Sequence, residues 1–199
     1  MSSEPLTPWL LRFGYENGMF PMSCDDGTVE WYQSHPRALM PIEGIRVSRS
    51  LLRTWKRGHL CVTYDAAFTD VMRSCLRPTA NWISEEFIQV YSLCHKQGWA
   101  HSCEVWMEDE LVGGIYGLAI GGCFCGESMF HRVTDASKVA LWKMVDHCRE
   151  LGFTMFDAQI MNPHLESLGA FNIPHGDYMR RLEVAKLVQT EWDRCPFKL

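Results

Sequence analysis

At 199 residues, 47% of them hydrophobic and 22% charged, the chain can hold one domain with a sizeable core and a small appendage, and its balance is that of a globule rather than a disordered or fibrous chain. A formal net charge of −5 excludes a bulk polycation, so contact with nucleic acid requires a local basic patch. Nine cysteines without a disulfide spacing, and a start (Met1-Ser2-Ser3-Glu4-Pro5) with no basic and apolar leader, point to a reducing, cytoplasmic setting; the longest uncharged run, the 16 residues from Leu111 to Gly126 with six glycines, is too short and glycine-rich for a membrane helix.

Thr7-Pro8 opens a first helix and Asn17-Gly18 closes it. The stretch from Phe20 to Pro41, rich in Pro, Asp, Gly and aromatics, reads as irregular, and residues 1–40 read as a small N-terminal subdomain. Ser48 caps a helix carrying Arg49, Arg53, Lys56 and Arg57. A strand follows near Leu60–Thr63, then a helix capped by Asp65 with Phe68, Met72 and Cys75 at helical spacing. Ser84 caps the next helix, whose first turn holds Glu85 and Glu86 and whose apolar stripe is Phe87, Val90, Tyr91 and Cys94. Strands Ser102–Met107, Leu111–Ile120 and Cys123–Phe130 come next, the last two joined at Gly121-Gly122. Asp135 caps a helix with Leu141, Met144, Val145 and Cys148 on one face, and Gly152 ends it before a strand over Phe153–Ile160. Strand, helix, strand predicts a parallel pair, so the expected class is α+β: a mixed sheet flanked by helices.

The last strand carries Asp157 and Gln159 two positions apart in an apolar run, hence on one face if alternation holds. A buried carboxylate is costly unless paired, so the pair reads either as a site or as a structural unit that satisfies backbone groups. Glu127 is a second carboxylate in an apolar strand. Facing the same cleft it would attract a guanidinium or ammonium; otherwise it is a solvent-facing edge residue. Alternation sets Phe156 opposite Asp157 and Phe124 opposite Glu127, so both kinds can border one site only if the strands splay or bulge, which Gly126 permits. Arg49, Arg53 and Lys56 share a helix face, with Arg57 beside them, suited to phosphate or simply solvated. Cys94, His95, His101 and Cys103, like Cys123 and Cys125, lack the spacing of a structural zinc site, so no metal is expected. No P-loop, dinucleotide fingerprint or nucleophile elbow is present.

The ordered strings Tyr15…Gly18-Met19-Phe20-Pro21, His35-Pro36-Arg37-Ala38, Ser48-Arg49-Ser50, Tyr64-Asp65-Ala66-Ala67-Phe68, Trp82-Ile83, His101-Ser102-Cys103-Glu104-Val105-Trp106, Asp109 to Gly114, Phe124 to Phe130, Asn162-x-His164 and Ser167-Leu168-Gly169-Ala170 run from about residue 8 to 180. With them the chain resembles the bacterial leucyl/phenylalanyl-tRNA–protein transferases. The resemblance implies an acetyltransferase-like (GNAT) fold behind a small N-terminal domain, with the catalytic domain over residues 41–199. It implies transfer of Leu or Phe, sometimes Met, from aminoacyl-tRNA to proteins beginning with Arg or Lys, marking them for degradation, by a monomer without cofactor. It implies that Asp157, Gln159 and Glu127 are catalytic, that Ile115, Phe124, Met129, Leu141, Met144 and Phe156 form the amino-acid pocket, and that Arg49, Arg53, Lys56 and Arg57 hold the tRNA. Met22 departs from the family, whose members carry a Trp there that is associated with stacking on the terminal adenosine; Trp31 and Tyr32 are the alternative aromatics. Rival readings on the same fold are an acyl-CoA-dependent N-acetyltransferase, whose pyrophosphate loop is missing here, and an aminoacyl-tRNA transferase acting on cell-wall peptides. A non-enzymatic RNA-binding module would leave the Asp157–Gln159 strand unexplained.

Overall fold

Seven strands make one sheet in the order β4-β5-β6-β7-β8-β3-β9, beside a separate two-stranded hairpin of β1 and β2, in a computed structural model that describes residues 5–24, 26–77 and 83–192. In chain order the elements are α1 (Pro8–Glu16), β1 (Phe20–Ser23), β2 (Val29–Tyr32), β3 (Arg37–Met40), α2 (Arg49–Lys56), β4 (Cys61–Tyr64), α3 (Phe68–Ser74), α4 (Glu85–Lys96), β5 (Ala100–Met107), β6 (Glu110–Ile120), β7 (Cys123–His131), α5 (Ala136–Glu150), β8 (Met155–Gln159), α6 (Pro163–Ser167), β9 (Phe171–Ile173) and α7 (His175–Ala185). The first four residues and Trp82, used in the sequence reading, lie outside the described residues.

The α+β expectation of a mixed sheet between helices matches the observed architecture. Every neighbouring pair is antiparallel except β7 and β8, which run parallel with α5 as the crossover. One core lies on the face of α1, α3, α4 and α7, around Leu11, Phe68, Phe87, Tyr91 and Tyr178; the other lies under α2, α5 and α6, around Leu51, Val139, Met144 and Leu165. Fully burying side chains such as Val139, Leu141, Met144 and Val145 contributes about 1.5–3 kcal/mol each, which holds α5 to the sheet. Its first turn lies close on β6 because Gly113 has no side chain: a Cβ there would stand 2.6 Å from the Ala136 Cβ.

Local capping follows the sequence at three helices. The hydroxyls of Thr7, Ser48 and Ser84 accept from the backbone N–H groups of Leu10, Leu51 and Phe87. Three expectations need correction. The Phe20–Pro41 stretch contains three strands, and β3 sits inside the large sheet between β8 and β9. Asp65 does not cap α3. Its carboxylate accepts from the Ser102 N–H and contacts His101, while Glu104 takes the Ala66 and Ala67 N–H groups. Asp135 occupies the cap position of α5 in a left-handed conformation without a capping bond, its carboxylate engaged by Lys138 and Thr54. Among the described residues no helix is long and apolar enough to cross a membrane, and the eight cysteines are free thiols.

Candidate active site

The parallel ladder of β7 and β8 ends at Cys125 opposite Asp157, and beyond that point the strands part. A bulge marks the divergence on each strand. On β7, Gly126 pairs with Gly117 and Ser128 with Tyr116, leaving Glu127 as the extra residue. On β8, Asp157 pairs with Leu39 and Gln159 with Ala38, leaving Ala158 unpaired. Bulges re-aim side chains, and here they resolve the alternation problem: Glu127 and Gln159 meet in the gap, while Met129 and Phe156 still reach the apolar side of the same opening.

The gap is a cavity of about 200 Å³ lined by Glu127, Gln159, Ile115, Met129, Leu141 and Phe156, with Met22 and Arg77 also on its wall. Four of the six expected pocket hydrophobes therefore line it. Phe124 and Met144 do not; both are fully buried behind it, the Phe124 ring 5.1 Å from that of Phe156. Trp31 and Tyr32 stand one strand away, opposite Pro21 and Phe20 in the hairpin. The Trp31 ring lies where a side chain on Gly14 would go, and the Tyr32 hydroxyl donates to Glu30, so neither lines the cavity.

Glu127 is held by three donors. The Tyr15 hydroxyl donates to its Oε1 at 2.6 Å, the Gln159 Nε2 to the same oxygen at 2.8 Å, and the Tyr91 hydroxyl to Oε2 at 3.2 Å. Burial raises its carboxyl to about 7, against the lowering effect of the two tyrosines, with the nearby Asp157 charge adding to the rise. Burial, followed by the Glu127 charge, pushes both tyrosine hydroxyls well above their ordinary value, so they remain donors. Gln159 also donates from Nε2 to the Gly126 carbonyl at 3.3 Å, just beyond the last paired residues of the β7–β8 ladder. With both N–H groups engaged, Oε1 is the remaining hydrogen-bonding atom of this amide, whose residue lines the cavity.

Asp157 is placed differently. It is completely buried and is not on the cavity wall. Two N–H groups of Arg37 donate to it, Nε to Oδ1 at 2.9 Å and more weakly to Oδ2 at 3.2 Å, and Nη2 to Oδ2 at 2.7 Å. The Tyr178 hydroxyl adds a bond to Oδ2 and the Gln159 backbone N–H one to Oδ1, each at 2.9 Å. Four donors occupy the roughly four acceptor directions of a carboxylate. Arg37, whose charge burial would disfavour, is held firmly protonated by that carboxylate. Asp157 and Gln159 thus do not project together as alternation predicts. Gln159 has a φ of 60°, and the Ile160 N–H donates to the Ala158 carbonyl at 2.7 Å, closing a strained three-residue turn.

Arg49, Arg53 and Lys56 are exposed on the outer face of α2, and Arg57, also exposed, is its C-cap residue. α2 is tied to α5 by the Thr54–Asp135 bond and by Trp55 against Trp142, the Lys143 ammonium lying over both rings. α5 also supplies Leu141 to the cavity, so one helix links basic surface and pocket. Away from this region, Asp65, His95 and His101 come within 4.8 Å of one another. The His95 Nδ1 bonds the Ala100 carbonyl at 2.8 Å, and a carbonyl only accepts, so this nitrogen carries a proton rather than a lone pair for a metal. Cys94 and Cys103 are buried core residues.

Tyr15, Tyr91, Arg37, Tyr178 and Arg77 carry no functional expectation from the sequence, although Tyr91 belongs to the apolar stripe of α4 and Tyr15 and Arg37 stand in the family strings. Two buried tyrosines on separate helices need a hydroxyl partner, and an arginine in an apolar strand needs a buried acid; both demands were available signals.

A family model described as leucyl/phenylalanyl-tRNA protein transferase matches residues 39–183, and one described as its N-terminal domain matches residues 4–35. The leucyl/phenylalanyl-tRNA–protein transferase of Chlorobaculum parvum is 51% identical over 176 residues, covering 86% of this chain and 91% of its own. That of Herpetosiphon aurantiacus is 45% identical over 181 residues, covering 90% and 94%. Among solved structures, L-PGS from Bacillus licheniformis aligns over 75% of this chain and 50% of its own with a TM-score of 0.44 at 12% identity, too distant to bear on the site.

Proposed function

Because the chain belongs to the leucyl/phenylalanyl-tRNA protein transferase family, we propose that the opening between β7 and β8 is where its aminoacyl transfer takes place, with Glu127 and Gln159 as the residues in contact with the reacting amine. The chain is an aminoacyltransferase that moves an amino acid from tRNA to the N-terminus of a protein. The observation that carries the site is the Gln159–Glu127 hydrogen bond on the wall of a cavity whose other side is formed by Ile115, Met129, Leu141 and Phe156.

The donor ester is already activated, so the protein must orient two groups and remove one proton. The acceptor α-amine attacks the ester carbonyl carbon; the C–N bond forms and the C–O bond to the terminal ribose breaks. A carboxyl near 7 is half ionised at neutral pH, and Glu127 takes the proton from the attacking amine and returns it to the ribose oxygen. The Gln159 Oε1 accepts an amine N–H and aims the nitrogen. Asp157, with no acceptor direction open, acts behind Gln159 rather than on the substrate. Ile115, Met129, Leu141 and Phe156 receive the transferred Leu or Phe side chain, and Phe124 and Met144 back them. Met22, on the wall where family members carry Trp, is the contact for the terminal adenosine in place of Trp31 or Tyr32. Arg49, Arg53, Lys56 and Arg57 hold the tRNA phosphates.

Acceptors beginning with Arg or Lys, a monomeric state and a cytoplasmic setting belong to the same reading. So does the acetyltransferase-like fold, supported by the parallel pair that parts beside its crossover helix. A small N-terminal subdomain over 1–40, ahead of a catalytic domain over 41–199, is supported by the break between the two family matches, although β3 is lent to the large sheet. The test is incubation of radiolabelled Leu- or Phe-tRNA with a peptide starting in Arg and one starting in Ala. Label passes to the Arg peptide alone; equal labelling of both removes the acceptor assignment.

A further inference from the structure

The strained turn at Gln159 requires something to hold it. A non-glycine residue in the left-handed region costs on the order of 1–3 kcal/mol and persists only when its surroundings over-determine it. Its N–H is fixed by the Asp157 Oδ1. Asp157 is fixed in turn by partners from two other elements, Arg37 at the start of β3 and Tyr178 on α7. Arg37 is itself pinned, donating from Nη1 to the Gly18 carbonyl at 3.1 Å with its guanidinium between the rings of Phe20 at 5.0 Å and Tyr178 at 4.5 Å. Arg37, Asp157 and Tyr178 are all buried, and none lines the cavity.

We propose that Arg37 and Tyr178 are positioning residues for the transfer, acting through Asp157 to hold the Gln159 turn from which its amide reaches Glu127. The inference rests on the reading of Gln159 as an active-site contact. If the Asp157 carboxylate rotates, the Oδ1 bond to the Gln159 N–H is lost and the turn relaxes toward extended backbone. The amide then leaves both Glu127 and the Gly126 carbonyl, which have no second route to that donor. A buried pair is a suitable clamp because each partner is desolvated and neither can swing into water without a large penalty.

Tyr178→Phe removes one hydroxyl and keeps the ring over Arg37, so the protein folds. Measured in the intact enzyme well below its melting temperature, kcat falls about tenfold with KM for the aminoacyl-tRNA unchanged, the size of effect that a small misplacement of a reacting group produces. In a Gln159→Gly background, where glycine adopts the left-handed turn freely and the amide is gone, the same substitution changes kcat less than twofold, because its effect runs through that amide. Equal factors in the two backgrounds, or no effect in the native one, overturn the proposal. If the Gln159→Gly rate is too low to compare, the side-chain amide resonance of Gln159 decides: it shifts in Tyr178→Phe, and an unmoved resonance overturns the proposal. Full activity of Gln159→Gly would instead remove the reading of Gln159 itself, so the two failures are distinct.

Discussion

Replacing Glu127 with Gln should stabilise the protein at alkaline pH while removing the proton acceptor. Burial raises the folded carboxyl from 4.5 to about 7, so the native state keeps a proton that the unfolded chain releases across that interval. Stability due to this group is therefore fully present below 4.5, falls as pH rises toward 7, and stays low above it. At about 1.36 kcal/mol per pH unit the interval corresponds to at most about 3 kcal/mol, less whatever residual water at the cavity mouth supplies. Glutamine does not titrate, and the hydroxyls of Tyr15 and Tyr91 can turn to meet its amide. Urea unfolding at pH 5 and pH 8 should show the Gln variant gaining about 2–3 kcal/mol over the native chain between the two conditions. Initial transfer rates to an Arg peptide should show an inflection near 7 in the native enzyme, in addition to that of the acceptor amine at about 7.7–8.0, and only the amine's in the variant. A stability difference that is the same at both pH values would show that Glu127 is not desolvated. Survival of the inflection near 7 in the variant would assign the base to another group.

Asp157→Asn leaves Arg37 buried without a counter-charge and should cost about 3–5 kcal/mol in chemical denaturation, together with most transfer activity; a loss below about 1 kcal/mol would mean the pair is not the clamp described. Met129→Phe narrows the cavity and should lower kcat/KM for Phe transfer more than for Leu, by about tenfold, with equal losses arguing against that wall as the selector. Arg53→Ala with Lys56→Ala should make the slope of log affinity for tRNA against log salt shallower by about 1–2, so that the loss of affinity is greatest at low salt; an unchanged slope excludes phosphate contact. Gly113→Ala should lower stability by about 1–3 kcal/mol, since its Cβ meets α5 backbone at 2.9 Å, and an unchanged melting temperature would show that α5 can shift at no cost.

Much of the fold is written locally. Hydroxyl caps at Thr7, Ser48 and Ser84, the helical periodicity of Phe87 to Cys94 and of Leu141 to Cys148, and the Gly121-Gly122 turn all depend on neighbours within a few residues, and these elements stand where expected. The caps assigned to Asp65 and Asp135 did not form, because other partners outcompeted the adjacent amides: the distant Ser102 and His101 for Asp65, and for Asp135 the distant Thr54 together with Lys138 in the same helical turn. The strands between Phe20 and Pro41 were hidden for a related reason. β3 is only four residues long, and its place depends on β8 and β9, more than a hundred positions away.

The residue types of the site were legible in the sequence: an acid and an amide in one apolar strand, a second acid after a glycine in another, and a basic helix face. Which acid meets the cavity was not. Strict alternation pairs Asp157 with Gln159; Gly126 marks where a bulge at Glu127 is permitted, but nothing local announces the bulge at Ala158 or the left-handed Gln159. Those arise where two parallel strands lose their ladder and must satisfy backbone and side-chain groups by other means. Tertiary structure therefore made the choice: Arg37 and Tyr178 close around Asp157 and shut it in, whereas Tyr15 and Tyr91 hold Glu127 at an opening where burial brings its carboxyl to about 7. Chain chemistry determines which groups are present; desolvation and long-range partners, which exist only in the folded state, determine which of them can move a proton.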